Sequence, residues 1–169
     1  MSSAQPPSFR AIMNQLSDTW FHTPWSASEV SFDEGVYRGV FDIGAAAGMD
    51  TRTSYRPVLH APVLAAIVSY QALASLLFAY TNGHHPTLAA LPRVDMDEAR
   101  RRIQVTSLRF SLSRPVFESR VPLRLTFDRI TDRWDSHRMA FLGGTVDVAD
   151  GKHTAKLQGC FNFRDAVDA

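Results

Sequence analysis

The chain has 169 residues, enough for one domain with a substantial core, and its net charge of +1 gives no field that would indicate nucleic acid. Nearly all basic residues are arginine, the only lysines being Lys152 and Lys156, and arginine suits bidentate binding of carboxylate or phosphate. The single cysteine, Cys160, excludes an internal disulfide framework and fits a reducing, cytoplasmic location. We expect no signal peptide, because the first nine residues have neither a basic region nor an apolar core.

The N-terminal part of the chain predicts an arm, a helix and a hairpin. We expect residues 1–8 to be a disordered arm and residues 9–165 to form one domain. Apolar residues at helical spacing predict an amphipathic helix over Phe9–Trp20. The segment Glu29–Ile43 has strand-forming residues on both sides of the turn Asp33–Gly35, so it predicts a β-hairpin.

The aromatic residues Trp20, Phe21 and Trp25 lie between the predicted helix and hairpin. They can form a structural lid over the core or line an acyl channel.

A long apolar segment in the middle of the chain predicts a buried helix over Pro62–Tyr80, which Thr81–Gly83 ends. Val58–Tyr80 is also long enough to span a bilayer, but it contains polar residues and is flanked by strand-like segments, so we favour a core helix and no membrane association. No acidic residue lies between Asp50 and Asp95.

The remaining chain is rich in strand-forming residues. A short charged helix over Met96–Arg102 precedes four long predicted strands, which are Ile103–Val116, Val121–Thr131, His137–Val148 and His153–Phe163. Because helices and strands do not alternate, the pattern predicts an α+β protein with an antiparallel sheet that wraps round the apolar helix.

This arrangement resembles the hot-dog fold, and more narrowly the FcoT-like thioesterase family. The residues that carry the resemblance are Gly39–Ile43, Arg56, His60, Phe78-Ala79, Thr106–Phe110 and Pro115–Phe117. The resemblance covers the chain from about Tyr37 to Phe163. It implies a substrate held as an acyl thioester on coenzyme A or an acyl carrier protein, and a homodimer. Some relatives hydrolyse acyl thioesters, and others add glycine to an enoyl thioester in secondary metabolism.

The polar cluster before the apolar helix is the predicted site. His60 precedes the helix by two residues, where the helix dipole would lower its pKa and keep it able to accept a proton. The backbone N–H groups of Val63 and Leu64 could bind a thioester carbonyl as it gains negative charge. A histidine at this position could instead be only a cap. Tyr55, which matches the family's tyrosines loosely, is a second candidate for proton transfer.

Arginine and polar residues around His60 are the predicted substrate-binding groups. Arg56, and beside it Arg52, could grip the carboxylate of glycine, although both could be surface arginines. Ser54 and Tyr55 could complete that pocket, although each could instead have a structural role. Tyr70 and Gln71, about three turns into the helix, could line the acyl channel or could satisfy each other across a dimer interface. Some relatives carry asparagine where this chain has Gln71.

The predicted function is therefore addition of glycine to the β-carbon of an enoyl thioester. The alternatives are hydrolysis of an acyl thioester and non-catalytic acyl binding. The site lacks the Asp or Glu that hot-dog enzymes commonly place on the central helix, unless a carboxylate arrives from a partner subunit or from Glu98. No cofactor is expected, and His84, His85 and His22 lack a metal-binding spacing, so no metal is expected either. The basic run Glu98–Arg102 could meet an acyl carrier protein or coenzyme A phosphates.

Overall fold

A computed structural model describes residues 7–20, 25–43, 59, 61–133 and 137–164. Its elements in chain order are α1 (Phe9–Trp20), β1 (Trp25–Asp33), β2 (Val36–Ile43), α2 (Ala61–Asn82), α3 (Pro86–Ala89), α4 (Met96–Arg102), β3 (Ile103–Leu112), β4 (Arg120–Arg133), β5 (Met139–Val148) and β6 (His153–Asn162).

The six strands form one antiparallel sheet in the order β1-β2-β4-β5-β6-β3, with α2 packed across it. The predicted α+β hot-dog architecture is confirmed. Among the described strands, β3 pairs with β6 alone and lies at one edge of the sheet, and β1 lies at the opposite edge. The sheet thus has an inner face, which packs on α2, and an outer face.

Helix α2 is the centre of the core. It is long and apolar enough to cross a membrane by length and composition, but 78% of its most apolar window is buried inside the protein. Residues Gln71 to Tyr80 are all buried, which fits a helix that is enclosed on every side. Gly83 follows with φ of +62°, and His84 N–H donates to Ala79 O at 3.0 Å, so the predicted end of the helix is confirmed.

Helix α1 covers one side of α2 as its spacing predicts. Phe9, Ile12, Met13 and Leu16 are all buried. The predicted arm over residues 1–8 lies mostly outside the described residues and stays a prediction.

Two strand boundaries differ by four residues from those the sequence predicts, and one short helix was not predicted. Strand β1 begins at Trp25, whose half-buried side chain packs on the core, whereas the side chain of Trp20 and the whole of Phe21 lie outside the described residues. Strand β3 ends at Leu112 rather than Val116, because Val116 O instead accepts from Leu59 N–H at 2.9 Å. The predicted loop after α2 contains α3.

Candidate functional site

The first turn of α2 lies at the edge of the core. Ala61 and Pro62 are exposed, Val63 is half-buried and Leu64 is buried. The backbone immediately before the helix is held to the segment before β4 by the Leu59–Val116 hydrogen bond. The N-terminal N–H groups of a helix carry partial positive charge, so this turn can bind an oxygen that gains negative charge.

Five predicted site residues precede this turn and lie outside the described residues. They are Arg52, Ser54, Tyr55, Arg56 and His60. Their assignment to the site therefore stays a prediction from the sequence. Helix α2 begins at Ala61, directly after these residues in the sequence.

Gln71 differs from the other polar residues of α2 in its hydrogen bonding. Its side chain is fully buried, and neither its Oε1 nor its Nε2 has a hydrogen-bond partner among the residues that the structure describes. Burying an amide without partners costs about 1–3 kcal/mol. Ten residues separate it from Ala61, so it lies about 15 Å along the helix from the first turn.

Gly39 on β2 makes the space that Gln71 occupies. A Cβ atom at Gly39 would lie 2.8 Å from Gln71 Oε1, and Phe41 lies beside it. The amide therefore points from α2 towards β2, into the layer between helix and sheet. Its unmet hydrogen-bonding capacity can be satisfied there by water or by a polar atom of a bound molecule.

Tyr70 has a different environment from its neighbour. Its hydroxyl donates to Met13 O of α1, and its ring meets Phe41 edge-on at 6.0 Å. The hydrogen bond fastens α1 to α2. Of the two predicted channel residues, only Gln71 therefore points an unpaired side chain at β2.

Carboxylates near α2 are engaged elsewhere. Asp95 caps α4 by accepting from Glu98 N–H at 2.8 Å. Glu98 accepts from Arg102 Nε at 2.6 Å and lies 3.6 Å from Arg101. Because Glu98 is paired within its own helix, the structure gives no support to the expectation that it completes the site. The same pairs neutralise part of the basic run that could meet a carrier.

The histidines after α2 have packing and capping contacts. His84 stacks on Phe32 at 4.5 Å, and desolvation lowers its pKa. His85 caps α3 by accepting from Thr87 N–H at 3.2 Å. Within the described part of the chain, no three His, Cys, Asp or Glu residues are grouped as a metal site would require.

Cys160 and the core tyrosines have thiol and hydroxyl groups with raised pKa values. Burial raises the pKa of Cys160, which is 1% exposed and lies beside Gln104. Burial also raises the pKa of Tyr37 and of Tyr80, and the Tyr80 hydroxyl bonds to the segment before α4. These groups stay protonated at neutral pH, so none is a ready nucleophile or base.

No protein-family model and no curated protein matches the sequence. Solved structures do match. A candidate thioesterase from Syntrophus aciditrophicus has a TM-score of 0.63 at 9% identity, over 90% of this chain and 95% of its own.

Two further structures agree. A thioesterase from Haemophilus influenzae gives a TM-score of 0.55 at 14% identity, over 94% of this chain and 93% of its own. A variant of a thioesterase from Pseudomonas aeruginosa gives a TM-score of 0.53 at 14% identity, over 92% of this chain and 94% of its own. At these identities the similarity establishes the fold: the chain has the hot-dog architecture of these proteins along nearly its whole length.

Proposed function

We propose that the protein is an enzyme acting on acyl thioesters, with the thioester carbonyl at the N-terminus of α2 and the acyl chain between α2 and β2. The observation that carries this proposal is the buried, unpaired amide of Gln71, which faces β2 inside a fold shared with thioesterases. A carbonyl at Val63 and Leu64 would direct its acyl chain along the helix towards Gln71.

Within this class we favour the addition of glycine to an enoyl thioester. Helix α2 carries no carboxylate, and Asp95 and Glu98 are engaged in α4, so the described residues offer no acidic base at the helix. Proton transfer then falls to His60, with Tyr55 as the second candidate. The family that the sequence resembles includes enzymes that add glycine to enoyl thioesters as well as enzymes that hydrolyse acyl thioesters.

The proposed steps balance without a cofactor. Arg56, helped by Arg52 and Ser54, holds the glycine carboxylate. His60 takes a proton from the ammonium group, and the amine attacks the β-carbon. The electrons of the carbon–carbon double bond move onto the carbonyl, where the N–H groups of Val63 and Leu64 stabilise the enolate. His60 then returns its proton to the α-carbon, giving an N-carboxymethyl-3-aminoacyl thioester.

Hydrolysis is the second candidate, favoured by the thioesterases among the structural neighbours. In that reaction His60 would orient a water molecule towards the carbonyl. Free acid and free thiol would be the products, with no need for glycine.

Mass spectrometry separates the two reactions. The protein is incubated with a medium-chain trans-2-enoyl-coenzyme A, with and without isotopically labelled glycine. We expect labelled glycine on the intact thioester. Formation of free acid without glycine would mean that the enzyme hydrolyses the thioester and does not add glycine. A substrate that stays unchanged with and without glycine, both on coenzyme A and on an acyl carrier protein, would contradict the proposed enzyme class.

Matched histidine variants test the site. We expect His60→Ala to lower turnover by at least about 100-fold, the usual contribution of general acid–base catalysis. The control is His85→Ala, which removes the cap of α3 and no proposed site residue. Near wild-type turnover in folded His60→Ala would contradict the role of His60.

We also propose a homodimer formed through the free edge of β3. Exposed Val105 and Leu112 lie on this strand, and unpaired edge strands associate readily. Val105→Lys should shift the protein towards monomer in sedimentation analysis. Phe117→Lys, at an equally exposed residue outside the strands, should not. A wild-type monomer would contradict the dimer.

A further inference from the structure

The outer face of the sheet contains a groove that the proposed reaction does not use. It has a volume of about 530 Å³, within the range of ligand-binding cavities. Residues of β3, β4, β5 and β6 line it, together with His137. Arg129, Thr131 and Arg133 of β4 and Phe141 and Gly143 of β5 lie on the face of the sheet opposite to α2. The sheet therefore separates the groove from the layer that holds Gln71.

Two arginines flank the groove. Arg129 and Arg133 lie on the same face of β4, on either side of Thr131, and their Cα atoms are about 13 Å apart along the strand. Neither forms an ion pair with any residue that the structure describes. Two free guanidinium groups at this separation can converge on one multiply charged anion.

Among the residues that the structure describes, no carboxylate lines the groove. Asp128, next to Arg129 in the chain, accepts from Thr145 Oγ1 at 2.6 Å. Asp132 alternates to the opposite side of β4 from Arg133. The groove is therefore basic although the whole chain is nearly neutral.

Phe141 gives the groove an aromatic surface between the arginines. It pairs across the strands with Thr131, and 38% of it is exposed, which is unusual for so large an apolar residue. A planar heterocycle can stack on such a ring, whereas an inorganic ion gains nothing from it.

Gly143 forms part of the floor. It pairs with Arg129 on β4 and Gln158 on β6. Among the described atoms, a Cβ atom added there would contact only Arg129 Cβ, at 3.8 Å. A larger side chain at this residue would therefore fill the groove without disturbing the strands beneath it.

From these features we infer that the outer groove is a nucleotide-binding site, in which Arg129 and Arg133 bind phosphate and Phe141 stacks on the base. The guanidinium groups match phosphate in geometry, and the cavity has room for a nucleoside. The nucleotide can be free or can be the nucleotide portion of coenzyme A. The inference concerns binding alone and does not depend on the reaction at α2.

Isothermal titration calorimetry of the full chain tests the site, with ADP, coenzyme A and inorganic phosphate as separate probes. We expect saturable binding of ADP or coenzyme A and at least tenfold weaker binding of phosphate. Tighter binding of ADP than of coenzyme A would indicate a free nucleotide as ligand, and tighter binding of coenzyme A than of ADP would indicate the nucleotide of the thioester carrier.

Variants locate the binding. Gly143→Val, which fills the groove, should weaken binding at least tenfold, and so should Arg129→Gln and Arg133→Gln. The matched control is Arg109→Gln, which removes the same charge from an exposed residue of β3 outside the groove. Phe141→Ala should weaken nucleotide binding but not phosphate binding.

Three results would overturn the inference. They are an absence of binding by ADP and coenzyme A, phosphate binding as tight as that of the nucleotides, and nucleotide binding that survives in folded Gly143→Val. Circular dichroism and a thermal unfolding curve establish that each variant is folded. Because no turnover is measured, failure here leaves the proposed acyl-thioester activity untouched.

Discussion

Residues of the same type have different environments on the two faces of the sheet. On the inner face, Phe161 is fully buried against Tyr80, and Gly144 lies in close contact with β4. On the outer face, Phe141 is exposed and Gly143 borders open space. Residue type alone therefore says little about role in this sheet. Strand alternation decides whether a phenylalanine or a glycine serves stability or leaves a surface free for binding.

The largest expected contrast is between the two phenylalanines. Phe161→Ala should lower the free energy of unfolding by about 3–5 kcal/mol, because it opens a cavity in the packed core. Phe141→Ala should change it by less than about 0.5 kcal/mol, as surface substitutions usually do. Urea denaturation of both variants measures the difference. Equal losses would contradict the assignment of inner and outer faces.

The second largest expected difference in stability is between alanine variants of the adjacent glycines of β5. A Cβ atom at Gly144 would lie 2.7 Å from Thr126 O, so Gly144→Ala requires the backbone of β4 to shift and should cost about 1–3 kcal/mol. Gly143→Ala meets no such contact and should be neutral or stabilising by up to about 1 kcal/mol, since glycine weakens a strand. Thermal unfolding compares them, and a greater loss in Gly143→Ala would reverse the predicted faces.

Substitution of Gln71 tests whether a residue on the inner side of the sheet serves activity as well as stability. Gln71→Met keeps an unbranched side chain and removes two unpaired polar atoms, so it should raise the free energy of unfolding by about 1–2 kcal/mol. If the amide serves acyl-thioester turnover, the same variant should lose activity. Leu73→Met, an apolar replacement on the same helix, is the control. A loss of stability in Gln71→Met would mean that the amide has a structural partner such as buried water.

The smallest expected effect on stability comes from an ion pair on the protein surface. A hydrogen bond from Lys152 lowers the pKa of Glu118. A lowered folded-state pKa means that the pair stabilises the protein above the unfolded pKa of glutamate, near 4.3, and that this stabilisation is lost as pH falls through the folded pKa. Both side chains are substantially exposed, so the gain lies at the low end of about 0–1 kcal/mol.

The measurement is the stability of Lys152→Gln against wild type at two pH values. The difference should be present at pH 6, shrink below pH 4 and weaken in high salt. A difference that grows on acidification would contradict the assignment.

The sequence predicts most of the fold because periodicity reports burial directly. The helical spacing of Phe9, Ile12 and Met13 and the apolar run before Gly83 led to the right helices. Helix α3 was missed because its cap is His85, which lies outside the usual set of capping residues. Strand β3 was predicted too long because pairing, which the sequence does not contain, ends it.

The sites were harder to predict than the fold. The sequence singled out Gln71, but only the position of Gly39 on β2 reveals that its amide is buried and unpaired. The outer groove gave no sequence signal, because Arg129, Phe141 and Gly143 come together through the register of β4 and β5. The importance of His60 remains a prediction from the resemblance and from its place before α2.

The burial of Cys160 gives the protein an internal reporter of its own opening. The thiol is shielded in the folded sheet, and its raised pKa leaves little of the reactive thiolate at neutral pH. A thiol-modifying reagent can therefore react only after the groups that cover Cys160 have moved. Because the chain has one cysteine, the labelling rate would follow a single site and measure how often β6, the neighbour of the edge strand β3, becomes accessible under native conditions.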